Sequence, residues 1–163
     1  MLSRNVRVFS GTGSALSDPT SVLVSGNVLE RIATDADAEP GAPVTVIEGG
    51  GRTLMPGLID AHAHLTFYDL PIAEAVNADP NYLQIRQSVG ARRMLLNGFT
   101  SIRDVSGPVF GLKRAIDEGL VAGPRVWPSG PMLSQTSGHS DMRSLSQLPS
   151  KVVREANPNE RIG

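Results

Sequence analysis

After Gly49–Gly51, short apolar runs of β type alternate with segments of helical periodicity, and this alternation constrains the fold more than any other feature. Strands are predicted at 58–65, 99–105 and 125–130, and helices at 81–96 and 109–118. Alternating strands and helices are typical of parallel sheets whose crossover connections carry the helices. Three strands leave such a sheet with uncovered faces and edges, so the pattern predicts the beginning of a larger α/β sheet.

The residues before this point indicate a separate all-β segment. Short β-type runs are divided by turn formers, and Gly26-Asn27 between two β-branched runs predicts a hairpin. Residues 35–43 have the composition of a loop, and 44–47 form a fourth strand candidate. These strands are too few to close a barrel, so we predict that 1–54 is part of a β-sandwich and that 55–163 is a second domain.

Composition excludes several classes of function. The 163 residues include 15 Lys and Arg against 16 Asp and Glu, a formal charge of -1 that offers no general attraction for nucleic acid or anionic lipid. There are no cysteines, so a metal ion would be held by nitrogen and oxygen ligands. No apolar run approaches the length of a membrane span or of a signal peptide, so we expect a cytoplasmic protein.

Two of the three histidines, His62 and His64, are separated by one residue in a predicted strand. Side chains at positions i and i+2 of a strand point to the same face, with about 6 to 7 Å of backbone between them. Two imidazoles on one face can chelate a divalent ion, and Zn²⁺ is the usual partner of such ligands. The alternative is a pair of ordinary surface or core histidines, because short motifs often occur by chance.

The residues around the pair favour the metal interpretation. Pro56-Gly57 predicts a turn that begins the strand, and Leu58 and Ile59 predict its buried start. Two polar rings at the end of a buried strand are costly unless a partner satisfies them, and a metal ion would do so.

The segment Pro56-Gly-Leu-Ile-Asp-Ala-His-Ala-His64 resembles the first barrel strand of the amidohydrolase superfamily of metal-dependent hydrolases. The segment Gly49-Gly-Gly-Arg-Thr-Leu-Met-Pro-Gly57 is similar to the end of the β-sandwich half that precedes the barrel in many members. Gly98–Val105 and Gly123–Gly130 resemble the second and third strands of the branch with Xaa-Pro dipeptidase-like, ochratoxinase-like and imidazolonepropionase-related enzymes. Gln135–Asp141 is similar to a Gly-Gly-His-Gly loop of that branch, with Ser137 and Ser140 in place of glycines.

This resemblance implies the first βα units of a (β/α)8 barrel, with one or two divalent metal ions at the carboxyl ends of the strands. His62 and His64 would be first-strand metal ligands, and zinc is the expected metal. The implied reaction is hydrolysis of an amide, peptide-like or cyclic C–N bond by a hydroxide that the metal activates. The implied substrate is a small molecule or a peptide-like amide.

The family completes its site with a carboxylated lysine on strand four, histidines on strands five and six, and an aspartate on strand eight, and none of these strands is present. Lys113 and Lys151, the only lysines, do not follow apolar strands. We therefore expect the chain alone to be nearly inactive, as the N-terminal portion of a hydrolase. The alternatives are a split hydrolase completed by another chain, or a degenerate module for binding or assembly, with self-association expected in every case.

Four further positions are secondary candidates. His139 lies in a loop of Ser, Thr and Gly, and is either an active-site loop residue that contacts substrate or a solvated loop residue. Asp60 either orients a neighbouring imidazole or caps backbone. Arg103 and Asp104 alternate at the end of the second strand, so only one of them points inward, and a structural ion pair is expected there, with contact to substrate as the alternative. Trp127 is expected to pack in the core or the barrel, with a substrate platform as the alternative.

Overall fold

The computed structural model describes residues 1–135 and 137–141, together with the backbone of 160–162. The chain divides into two compact units, Met1–Pro56 and Gly57–Gly163. The first unit contains five strands and the second contains the helices and the remaining strands.

The first unit is a single sheet. Its strands are β1 (Leu2–Val8), β2 (Thr20–Ser25), β3 (Val28–Ala33), β4 (Val46–Glu48) and β5 (Thr53–Leu54). The order is β3-β2-β1-β4, and β5 pairs with the later part of β1. The β2–β3 and β1–β2 pairs are antiparallel, whereas β4 and β5 run parallel to β1. The predicted Gly26-Asn27 turn is confirmed, and the φ of +58° at Gly26 shows why glycine suits it.

The second unit is built on a parallel sheet in the order β6-β7-β8, with β6 at Leu58–Ala63, β7 at Phe99–Asp104 and β8 at Arg125–Pro128. The helices are α1 (Ile72–Ala75), α2 (Pro80–Leu96) and α3 (Phe110–Asp117). A further parallel pair joins β9 (Met132–Ser134) to β10 (Glu160–Ile162). The alternation of strands and helices expected from the sequence is confirmed, and α2 lies within one residue of its predicted bounds.

Local signals in the sequence explain why α2 begins and ends where it does. The Asp79 side chain accepts hydrogen bonds from the backbone N–H groups of Asn81 and Tyr82, and Pro80 occupies the first turn. Gly98, with a φ of +93°, follows the helix and turns the chain into β7.

Helices cover one face of the β6-β7-β8 sheet. Ala63, Ile102 and Val126 lie in the core of this unit, which also contains residues of the helices and loops: Leu65, Ala91, Met94, Val109 and Leu112. Trp127, next to Val126 on β8, is 55% exposed among the described residues. The predicted buried start of β6 is wrong there, because Leu58 is 41% and Ile59 73% exposed. Of the two kinds of packing expected for Trp127, packing in the core of the described chain is wrong, because the helices cover the Val126 side of its strand, whereas packing in a barrel stays a prediction.

Candidate metal centre

His62 and His64 lie together at the carboxyl end of β6. Their ring centroids are 5.1 Å apart and the ring planes meet at 75°. His62 is exposed, whereas His64 is half-buried and its ring also lies 6.0 Å from that of Phe67. The structure thus brings the two imidazoles into one cluster, open to solvent on the His62 side.

The strand ends two residues earlier than the sequence predicts. β6 ends at Ala63, so His64 and Leu65 follow the strand. The pairing of β6 with β7 is also irregular between Asp60 and Ala63. Beyond Ala63 the chain leaves the ladder, because the Leu65 N–H donates to the Asp104 carboxylate at 2.7 Å rather than to a backbone carbonyl. The two rings therefore come together across a strand end, and not from the regular alternation of a strand.

The end of β7 holds the His64 segment in place. Ser106 Oγ lies 2.8 Å from His64 Nδ1, and Ser106 is fully buried. The Asp104 Oδ1 atom accepts a hydrogen bond from the Ser106 N–H at 3.2 Å. The Val105 N–H donates to the Ala63 carbonyl at 3.0 Å. Residues 104–106 at the end of β7 therefore contact residues 63–65 at the end of β6.

Burial sets the charge states of the cluster. The pKa of His64 is lowered by burial first, then by positive charge on His62 and on His139, while Asp60 acts in the opposite direction. A lowered pKa keeps this imidazole neutral at neutral pH, which is the form that binds a metal ion. Burial raises the pKa of the Asp104 carboxyl to about 6, against the effect of the two backbone N–H groups that it accepts.

His139 is close enough for its charge to act on His64, although the two residues are 75 positions apart in the chain. It is exposed, in the turn after β9. Ser137, two residues before His139, has a φ of +60°, and its N–H donates to the Asp141 carboxylate at 2.7 Å. The loop that carries His139 therefore lies within electrostatic range of His64.

Two secondary candidates have roles in the backbone. The Asp60 carboxylate accepts a hydrogen bond from the His62 N–H at 3.0 Å, which agrees with the capping interpretation. The expectation of a structural ion pair at Arg103 and Asp104 is wrong, because both side chains bond backbone groups instead. Arg103 Nε donates to the Ala61 carbonyl at 2.7 Å on the exposed face, whereas Asp104 is buried.

The donor set fits a divalent ion but does not complete a site. Two imidazoles are suitable ligands for Zn²⁺, which takes three or four protein ligands in most sites. Within residues 1–135 and 137–141 no group of three or more histidine, aspartate or glutamate side chains is arranged to hold a metal. Neither lysine is seen to supply the carboxylated lysine of the family. Lys113 pairs with Asp117 at 2.6 Å on the surface of α3, and Lys151 lies outside the described residues.

Sequence reasoning did not identify Ser106 as part of this cluster. The only signal was its place just after the polar end of a predicted parallel strand, next to a strand that ends in histidine.

Among the described residues, no helix is both long and apolar enough to cross a membrane.

Comparison with known proteins gives a consistent result. The ochratoxinase of Aspergillus niger is 31% identical over 141 residues, covering 83% of this chain and 29% of that protein. The dihydroorotase of Streptomyces coelicolor is 30% identical over 149 residues, covering 90% of this chain and 28% of that protein. The chain therefore spans less than a third of the length of these curated relatives.

Solved structures agree over nearly the whole chain. A prolidase complexed with N-methylphosphonate-L-proline superposes with a TM-score of 0.82 at 29% identity, covering 99% of this chain and 40% of the other. The ochratoxinase of A. niger superposes with a TM-score of 0.73 at 25% identity and the same coverage. The sequence model of the amidohydrolase family matches residues 53–161. The resemblance inferred from the first-strand motif is confirmed: the chain belongs to the amidohydrolase family.

Proposed function

We propose that the chain is the N-terminal portion of a metal-dependent hydrolase that acts on a C–N bond of an amide, peptide-like or cyclic amide substrate. Membership of the amidohydrolase family supports the reaction class. In this proposal β6, β7 and β8 are the first three strands of a (β/α)8 barrel, residues 1–54 belong to a β-sandwich, and the enzyme is cytoplasmic. The similarity to a prolidase and to an ochratoxinase supports a small or peptide-like amide as the substrate.

In this proposal His62 and His64 hold the metal ion, with zinc as the expected metal. The observation that carries the proposal is the 5.1 Å separation of the two rings at the carboxyl end of a parallel strand. In barrels of this type the reactions take place at that end of the strands. The lowered pKa of His64 supports the same role, because it leaves a neutral nitrogen ligand at neutral pH.

A divalent ion bound here would supply an activated water and would polarise the carbonyl of the substrate. The residues of this chain would fix the position of that ion and admit the substrate from the exposed side of His62. His139 is proposed to contact the substrate, since its loop lies within electrostatic range of His64. Asp60 shapes the strand by accepting the His62 N–H, and its negative charge opposes the lowering of the His64 pKa.

We propose that the chain has little activity alone, because two imidazoles supply only part of a catalytic ligand set. The exposed apolar side chains Ile59 and Trp127 support the presence of further strands over that face, from the same polypeptide or from a complementing chain. The net charge of -1 supports a small neutral or peptide-like substrate over nucleic acid.

Metal analysis of the purified chain tests the proposal. Wild type and three variants are dialysed against one equivalent of Zn²⁺ and analysed by atomic emission: His139→Ala, Lys113→Ala and the double variant His62→Ala, His64→Ala. Wild type, Lys113→Ala and His139→Ala are expected to retain zinc, and the double variant is expected to lose it. Equal zinc content in wild type and the double variant would contradict the proposal, provided that circular dichroism shows all four proteins to be folded.

A further inference from the structure

The His64 imidazole has a hydrogen-bond partner on one of its two ring nitrogens. Its Nδ1 atom lies 2.8 Å from Ser106 Oγ. A neutral imidazole carries one N–H and one lone pair, and the group bonded to one nitrogen decides which nitrogen keeps the proton. The serine therefore has direct influence over the nitrogen that His64 can offer to a metal ion.

Ser106 is itself held rigidly. It is fully buried, and its backbone N–H donates to Asp104 Oδ1 at 3.2 Å. The next residue, Gly107, donates its N–H to the Gly130 carbonyl at 3.1 Å, which ties the loop to the end of β8. A buried serine with a fixed backbone can hold its hydroxyl in one direction with little loss of conformational entropy on binding.

The same carboxylate also fixes the backbone of the histidine segment. Asp104 Oδ2 accepts the N–H of Leu65, the residue after His64, at 2.7 Å. One side chain thus sets both the position of the imidazole, through Leu65, and the position of the hydroxyl that contacts it, through Ser106. Asp104 therefore holds the backbone on both sides of the 2.8 Å contact between Ser106 and His64.

We propose that Ser106 is a positioning residue for the metal centre: its Oγ accepts a hydrogen bond from His64 Nδ1–H and leaves the Nε2 lone pair free to bind the metal ion. Asp104 supports this role by holding Ser106 and Leu65. The inference rests on the proposed function, in which His64 is a metal ligand. No bond is broken or formed, because the device selects a tautomer and a ring orientation.

The first test needs no metal. Long-range ¹H–¹⁵N NMR spectra of the ¹⁵N-labelled metal-free chain at pH 7.5 report which ring nitrogen of each histidine is protonated. The three histidines are assigned with His62→Ala and His139→Ala. His64 is expected to be mainly the Nδ1–H tautomer in wild type and to shift toward the Nε2–H tautomer in Ser106→Ala. A wild-type His64 that is mainly Nε2–H would overturn the proposal.

The second test measures zinc affinity by competition with a chromophoric chelator. Ser106→Ala is expected to weaken binding roughly 10- to 100-fold with the stoichiometry unchanged, as is usual when the partner of a ligating histidine is removed. Ser106→Thr, which keeps the hydroxyl, is expected to restore most of that loss. Ser88→Ala is the matched control, because the Ser88 hydroxyl on α2 donates to the Ile85 carbonyl, and it is expected to bind zinc as wild type does.

The two tests separate this inference from the proposed function. If wild type binds no zinc, the proposed metal site fails, and the tautomer of His64 still decides the role of Ser106. If wild type binds zinc through the two histidines and Ser106→Ala binds it equally well with unchanged His64 spectra, the positioning role is overturned and the metal site stands.

Discussion

The Leu65 N–H donates to Asp104 Oδ2 at 2.7 Å, although the two residues are 39 positions apart in the chain. This hydrogen bond turns the chain out of the β6 ladder immediately after His64. The carboxylate also accepts the Ser106 N–H, so two buried donors depend on it. The geometry of the histidine pair therefore depends on a residue of the neighbouring strand that is neither a predicted ligand nor exposed.

Replacement of Asp104 tests this dependence. Asp104→Ala leaves the buried N–H groups of Leu65 and Ser106 without this acceptor, at roughly 1 to 3 kcal/mol each. Removal of a buried carboxylate offsets part of that cost, so we expect a net loss of roughly 2 kcal/mol in the free energy of unfolding, measured with urea at pH 7. Asp117→Ala removes an exposed pair with Lys113 and is expected to cost under about 0.5 kcal/mol. Equal losses of unfolding free energy in the two variants would contradict the dependence of the histidine segment on Asp104.

The pH dependence of stability carries a signature of the same residue. The pKa of Asp104 is raised from 3.8 to about 6, so the folded chain binds this proton more tightly than the unfolded chain does. The contribution of Asp104 is therefore most favourable below pH 4 and declines as the pH rises through 6, by up to about 3 kcal/mol.

The measurement for this group is the difference between wild type and Asp104→Asn. The free energy of unfolding of each is determined from pH 4 to pH 7.5, because the subtraction removes all titrations that the two proteins share. His64 is one of these: its lowered pKa contributes stability above pH 6.5 that is lost on acidification. Parallel profiles for the two proteins would contradict the assigned pKa of Asp104.

Two glycines that look alike in the sequence are expected to respond in opposite ways to alanine. At Gly57, before β6, an added Cβ would lie 2.1 to 2.6 Å from atoms of the Thr100 side chain, so Gly57→Ala should destabilise by roughly 1 to 3 kcal/mol. At Gly111, in α3, an added Cβ meets nothing within 4 Å, so Gly111→Ala should stabilise by about 1 kcal/mol. Urea unfolding of both variants measures this, and a neutral Gly57→Ala would contradict the close approach of β6 to β7.

The loop that carries His139 contains a strained serine. Ser137 has a φ of +60°, which costs a residue with a Cβ roughly 1 to 2 kcal/mol and costs glycine little. We expect Ser137→Gly to slow hydrogen exchange at amide 137. Glycine adopts the positive φ without steric cost, so the conformation in which this N–H bonds the Asp141 carboxylate becomes more stable. Ser137→Val is expected to have the opposite effect. Faster exchange in Ser137→Gly than in wild type would contradict the left-handed conformation.

The sequence was sufficient to predict the strand and helix order of the second unit, because periodicity, the Asp79 cap and the glycine at position 98 are local signals. It was also sufficient to predict that the rings of His62 and His64 lie close together. It could not predict that β6 stops at Ala63, since that depends on a long-range bond from Leu65 to Asp104. The same limit explains the wrong expectation of an ion pair at Arg103 and Asp104, because Arg103 bonds the Ala61 carbonyl and Asp104 accepts from Leu65, 42 and 39 positions away.

The contact between Ser106 and His64 could not be predicted from the sequence either. The serine hydroxyl reaches His64 across 42 positions, and no periodicity marks such a contact. His139 could be named as a candidate from the composition of its loop, but its electrostatic effect on His64 required coordinates. Contacts between strand ends are set by sheet register, and register is a property of the folded chain.

The central claim, that His62 and His64 together bind a metal ion, is tested most directly by X-ray absorption spectroscopy of the chain with one equivalent of Zn²⁺. We expect a spectrum with two imidazole nitrogens at about 2.0 to 2.1 Å and oxygen ligands for the remainder. The imidazole scattering is expected to vanish in the double variant His62→Ala, His64→Ala. A spectrum without imidazole scattering in wild type, or one that the double variant leaves unchanged, would contradict the claim.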